Sequence, residues 1–132
     1  MNEKILEILI VEDEPGLGDL IARFIKLKGV RANTTVCTKA SDAHAELRNK
    51  RFDLVITDFN VPTGSEGAEI TQAAKALYNI PVIVMSARME ASQQQIHELC
   101  NADGYLAKPI MDWSGPIAMI KRLLHLSDQT AP

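Results

Sequence analysis

Cysteine is scarce in this chain. Cys37 and Cys100 are the two present, and neither belongs to a CxxC pair or a Cys/His spacing. That excludes the common zinc modules and leaves both as small core residues in a reducing, cytoplasmic setting. Long apolar runs are missing too, so no membrane insertion is expected. The start, Met1-Asn2-Glu3-Lys4 followed at once by a strand-like run, lacks the pattern of a signal peptide. Neither sign of charge dominates: 14 Lys and Arg face 17 Asp and Glu, for a net charge of -3. Without a basic face, direct contact with nucleic acid is not expected. There is also no internal repeat, low-complexity segment or linker. The 132 residues therefore read as one domain over 1–126 with a short frayed tail over 127–132.

What the chain does have is a regular alternation of strand-like and helix-like segments. Ile5 to Val11 is aliphatic without clean alternation, which suits a strand buried on both faces of a parallel sheet. Pro15 and Gly16 mark a turn, with Pro15 placed for a helix's first turn. Leu17, Leu20, Ile21, Phe24 and Ile25 then share one helical stripe, which Gly29 caps. Residues 31–36 read as a more polar edge strand. Ala40 to Lys50 reads as a helix anchored by Ala43 and Leu47. Phe52 to Asp58 is a buried strand cut off by Asn60, Pro62 and Gly64. Ile70, Ala73, Ala74 and Leu77 repeat the helical stripe, and Pro81 to Met85 is another strand, ending at Ser86. Met89, Ile96, Leu99 and Cys100 mark a fourth helix. Gly104 to Ala107 is a fifth strand, stopped by Lys108-Pro109, and Trp113, Ile117, Ile120 and Leu124 mark a fifth helix. Five such alternations imply βαβ units and a parallel sheet covered on both faces.

Polar residues interrupt the apolar strands at their carboxyl ends. Strand one ends in Glu12-Asp13, strand three in Asp58, strand four in Ser86 and strand five in Lys108. In a parallel sheet these ends share one edge, where ligands of open α/β folds bind. Crowded carboxylates repel one another, and a hard divalent cation such as Mg2+ relieves this. A lysine and a hydroxyl opposite can hold phosphate oxygens, and a carboxylate so placed can be a nucleophile.

On these residues the chain resembles the receiver domain of two-component response regulators. The resemblance rests on Val11-Glu12-Asp13-Glu14-Pro15, Asp58-Phe59-Asn60-Val61-Pro62, Ser86-Ala87 and Gly104-Tyr105-Leu106-Ala107-Lys108-Pro109, in that order, and covers roughly residues 4–126. It implies a flavodoxin-like, doubly wound, five-stranded parallel sheet with strand order 2-1-3-4-5 and five helices. It implies that Asp58 is the phosphoacceptor, that Asp13 and Asp58 ligate Mg2+ with the backbone carbonyl of Asn60, and that Glu12 acts through metal-bound water or as a weaker ligand. Lys108 and Ser86 would hold phosphoryl oxygens, with Lys108 aimed inward by a cis bond to Pro109. Ser86 and Tyr105 would form the switch. The donor would be a sensor histidine kinase or a histidine phosphotransfer protein. The output face would be the fourth helix near 90–101, the fifth strand near 104–107 and the fifth helix near 113–125. With no DNA-binding domain after residue 126, the expected output is protein binding or a role as a phosphate sink or relay, on its own or as a fragment of a larger regulator. Two departures stand out: Val61 precedes Pro62 where the family usually has Met, and the loop from Pro62 to Gly67 is one residue longer than usual.

Taken singly, these residues have plainer readings. Glu12 and Asp13 can be turn acids favouring a helix start, Ser86 a turn serine, Tyr105 a half-buried aromatic. His44, His97 and His125 share no ligand spacing and read as surface or helix-flank residues. The alternative function is a pseudo-receiver, a binding module with this fold and no phosphorylation; such chains usually lose the acids or the lysine, and this one keeps them. A flavodoxin is disfavoured because Glu12-Asp13-Glu14 repels a flavin phosphate. An Asp-nucleophile phosphatase is disfavoured because its second acid is here Asn60. The chain thus reads as a signalling domain that catalyses only its own phosphorylation and dephosphorylation, without a separate substrate.

Overall fold

The computed structural model describes residues 5–59, 66–87 and 101–125. In chain order these form β1 (Leu6–Val11), α1 (Leu17–Leu27), β2 (Ala32–Cys37), α2 (Ala40–Asn49), β3 (Leu54–Asp58), α3 (Glu66–Tyr78), β4 (Val82–Ala87), β5 (Gly104–Lys108) and α4 (Ser114–Leu123). All strand pairs are parallel, in the order β2-β1-β3-β4-β5. This is the flavodoxin-like sheet expected. Four helices lie among the described residues. The further helix expected on Met89, Ile96, Leu99 and Cys100 falls outside them, as do Asn60, Pro62, Gly64, His97 and the tail.

Successive strand residues point to opposite faces, and both faces are covered. Leu9, Val11, Val55, Val82 and Val84 pack with Ala43, Leu47, Ile70 and Ala74 of α2 and α3. Ile8, Ile10, Ile56, Ile83 and Met85 pack with Ile21 and Ile25 of α1 and Ile117 and Ile120 of α4. Burial on both sides is why the inner strands read as unbroken apolar runs. β2 and β5 are the edges, and their side chains are mostly half-buried.

Three sequence expectations need correction. Pro15 lies before α1, not in its first turn, because Gly16 takes a left-handed conformation (φ 82°) and the helix starts at Leu17. Leu20 is 44% exposed: Gly18, Ile21 and Ile25 take the buried face, and Leu20 lines an open cleft of about 360 Å³ with Leu17, Met85, Ile110 and Trp113. Leu77 is 46% exposed in the last turn of α3, where Tyr78 is exposed as well. Gly29 does take the terminating role, at φ 92°, with the Val30 N–H reaching back to the Ile25 carbonyl at 3.2 Å.

The amino-terminal edge of the sheet is clamped twice in the same way. The Asp53 N–H donates to the Glu7 carbonyl at 2.7 Å, and the Asp53 carboxylate accepts from the Glu7 N–H at 2.8 Å. Asp103 does the same with Val82, at 2.8 Å in both directions, and also pairs with Lys75. Each aspartate starts a strand by filling the ladder position ahead of it. Asp53→Ala orphans the Glu7 N–H and is expected to cost about 1–2 kcal/mol in urea denaturation. An unchanged midpoint would count against the clamp.

Candidate functional site

The register explains how the site assembles. Ile10, Ile56, Met85 and Leu106 lie on the α1/α4 face, and the strands pair Ile10 with Ile56, Asp58 with Met85, and Met85 with Leu106. Two residues further along that face come Glu12 after Ile10, Asp58 after Ile56, and Lys108 after Leu106. The apolar face thus turns charged where the strands stop. Ser86 follows Val84 on the other face, and Tyr105 pairs with Val84 and packs against the α2/α3 core.

Glu12 and Asp58 are almost fully buried, at 1% and 5% exposure, while Asp13 is exposed. The Lys108 ammonium bridges the two buried acids, donating to Glu12 Oε1 at 3.0 Å and to Asp58 Oδ2 at 3.1 Å. The Lys108–Pro109 bond is cis. Glu12 Oε2 accepts from the Glu14 N–H at 3.1 Å. The Ser86 hydroxyl donates to the Ala87 carbonyl at 3.1 Å, and the Tyr105 hydroxyl accepts from the Ala102 N–H at 3.0 Å. Glu12, Asp13, Asp58 and Lys108 therefore meet as expected. Ser86 and Tyr105 are placed on the adjoining strands, and Asn60 lies outside the described residues.

Burial pushes the Asp58 carboxyl up to about 6, and the charges of Glu12 and Asp13 add to this while Lys108 opposes it. For Lys108, burial disfavours the ammonium, but the hydrogen bond to Glu12 and the charge of Asp58 outweigh it and hold its pKa above the usual value. Acid oxygens of Glu12, Asp13 and Asp58 lie within 4.8 Å of one another. Among the described residues, three carboxylates against one ammonium suit a hard divalent cation such as Mg2+.

The sequence reading overlooked how Gly67 is used. It placed Gly67 in the loop, whereas Gly67 is the second residue of α3 and packs against the backbone of Asp58 and Phe59. Its N–H donates to the Phe59 carbonyl at 3.2 Å. A glycine close behind the strand-end acid was the available signal. Thr57 adds a second brace, its hydroxyl donating to the Asp58 carbonyl at 3.0 Å.

Comparison with known proteins agrees with this geometry. The response regulator receiver domain family matches residues 8–114, and the chain belongs to that family. Receiver domains are signalling domains of response regulators. The chain is 33% identical over 102 residues to the sensory transduction protein RegX3 of Mycobacterium tuberculosis, covering 77% of this chain and 44% of that protein. It is 31% identical over 104 residues to the heme response regulator HssR of Staphylococcus epidermidis, covering 79% and 45%. The chain thus spans less than half the length of these relatives. In structure it is similar to a CheY-like receiver domain protein of Methanospirillum hungatei, with TM-score 0.78, 22% identity and coverage of 92% of this chain and 95% of that one. It is also similar to the receiver domain of the Pseudomonas aeruginosa sensor histidine kinase PA1611, solved with a magnesium ion in its active site cleft, with TM-score 0.77, 22% identity and coverage of 92% and 99%. These structural likenesses establish the fold.

Proposed function

We propose that this receiver accepts a phosphoryl group on Asp58. The observation that carries the reading is the Lys108 ammonium held between Glu12 and Asp58 at the sheet's carboxyl edge. A carboxylate oxygen of Asp58 forms the new P–O bond as the P–N bond of a phosphohistidine breaks and the imidazole leaves with the electron pair. Lys108 neutralises phosphoryl oxygens, and the Ser86 hydroxyl turns from the Ala87 carbonyl to donate to another. Asp13, Asp58 and the Asn60 carbonyl would hold Mg2+, with Glu12 acting through metal-bound water or as a weaker ligand, and the ion would supply further charge neutralisation. Ser86 and Tyr105 share a sheet face, so movement of Ser86 opens room for the Tyr105 ring, which gives up its bond to Ala102.

The donor in this reading is a sensor histidine kinase or a histidine phosphotransfer protein. The output is a protein partner meeting residues 90–101, β5 and α4. Labelling with acetyl phosphate, with and without Mg2+, tests the chemistry on the parent and on Asp58→Ala. Metal-dependent labelling that vanishes in Asp58→Ala is expected. A folded parent that takes no label would leave a pseudo-receiver.

A further inference from the structure

We infer that the amino-terminal end of the sheet, opposite the acidic site, is a docking surface for an anionic lipid bilayer. Charge is balanced along the sequence, with 14 Lys and Arg against 17 Asp and Glu, but the fold sorts it. Every strand runs the same way, so strand starts and helix ends gather at one end of the molecule. Lys26, Lys28, Arg31, Lys50 and Arg51 fall there, and all are exposed. Among the described residues the acids of this end are engaged by the protein itself. Glu7 pairs with Lys50 at 2.8 Å, Asp53 accepts from the Glu7 N–H, and Asp103 pairs with Lys75. Asp13, Glu14, Asp19 and Asp42 lie at the other end, in the turn after β1 and the first turns of α1 and α2.

Attraction of cations to helix carboxyl ends accounts for Lys26 and Arg48, in the last turns of α1 and α2. It does not account for the apolar side chains set among the basic ones. Leu27 is 70% exposed and Ile5 50%, and Leu77 and Tyr78 are exposed at the end of α3. α1 and α3 cover opposite faces of the sheet, and Ile5 precedes β1 between them. The Leu6 N–H donates to the Arg31 carbonyl at 3.0 Å, which ties the start of β1 to that of β2. The Arg51 guanidinium lies over the Tyr78 ring, 5.3 Å from its centre.

Basic and apolar side chains thus share the whole end of the molecule, across both helix layers. A peptide fills one groove, and duplex DNA has no use for exposed aliphatic side chains. A bilayer is broad and flat, carries phosphates at its surface and has an apolar boundary beneath them. Leu27 and Ile5 would enter that boundary, Tyr78 would sit at headgroup level, and Lys28, Arg31 and Arg51 would meet the phosphates. No helix among the described residues is long and apolar enough to cross a membrane, so the contact is peripheral. The acids of the opposite end stand back by the length of β1, six residues or about 20 Å. The Debye length is about 8 Å at physiological salt, so their repulsion is screened. In this orientation the mouth of the site faces away from the lipid.

The test is co-sedimentation of the full chain with vesicles of phosphatidylcholine alone, and with vesicles of equal parts phosphatidylglycerol and phosphatidylcholine. Binding to the anionic vesicles alone is expected, with release as NaCl is raised. Lys28→Gln and Arg51→Gln, on opposite sides of the sheet, should each weaken binding about 5-fold. Leu27→Ser, which changes no charge, should weaken it by a similar factor. Leu27 and Lys28 are exposed, so the urea midpoints of their variants should match the parent's. No binding, or equal binding to both kinds of vesicle, overturns the inference. So does a loss confined to one of the two charge variants. Retention of a DNA duplex by the parent and by Leu27→Ser alike, with vesicle binding unchanged in Leu27→Ser, would assign the surface to nucleic acid and overturn it as well.

Discussion

Lys108→Met is expected to lower the stability of the metal-free protein by about 2–4 kcal/mol at pH 8. The substitution keeps the apolar stem and removes one charge. It leaves Glu12 and Asp58, with side chains 0% and 7% exposed, without the ammonium that bridges them among the described residues. The range sits slightly below that for a fully buried pair because Lys108 is itself 18% exposed. The loss should shrink on acidification. In the parent, Asp58 titrates near 6 in the folded state, above its ordinary value of 3.8. The folded state therefore binds more protons than the unfolded state between about pH 4 and 6, and this group's contribution to stability falls as pH rises through that window. Removing Lys108 takes away the main influence opposing the upward shift, so the window extends to higher pH and the fall steepens. Urea denaturation in chelator at pH 5 and pH 8 measures this directly. Mg2+ at pH 8 should restore part of the loss, since it supplies the missing positive charge. Equal losses at both pH values would mean that Lys108 contributes packing alone.

Gly67→Ala is expected to cost about 1–3 kcal/mol and to impair phosphorylation with it. A Cβ at position 67 would come to 2.7 Å from the Phe59 carbonyl oxygen and 2.8 Å from the Phe59 Cα, and it would also strike the Asp58 carbonyl. These are backbone atoms and cannot swing aside as a side chain end can. Either α3 lifts off the sheet, breaking the bond from the Gly67 N–H to Phe59, or the end of β3 shifts and takes Asp58 with it. The first route appears as a lower urea midpoint. The second appears as slower labelling by acetyl phosphate at full Mg2+ saturation. A variant matching the parent in both would show that this close approach is not needed.

Much of the architecture was legible because burial on two faces writes itself into composition. The aliphatic runs at Ile8–Val11, Leu54–Ile56 and Val82–Met85 are fully buried strands. The site was legible for a related reason: a charged residue at the end of such a run has few other uses. What periodicity missed were uses of small and polar residues that depend on a partner far away in the chain. No local pattern marks Asp53 or Asp103, because their partners Glu7 and Val82 come beside them only through the sheet order. Leu20 and Leu77 fit their helical stripes, yet the stripe is wider than the face that each helix buries.

By itself, then, the sequence determined the element types, the parallel sheet and the residues at each strand's carboxyl end, because these follow from local patterns of hydrophobicity and turn chemistry. The tertiary structure decided the rest. Register placed Glu12, Asp58 and Lys108 on one face, strand order set the gap that Glu12 and Lys108 cross, and the packing of α3 brought Gly67 against the strand end. Those contacts join residues up to 96 positions apart. Their distances are set by how the whole chain packs, and no local stretch of sequence encodes them.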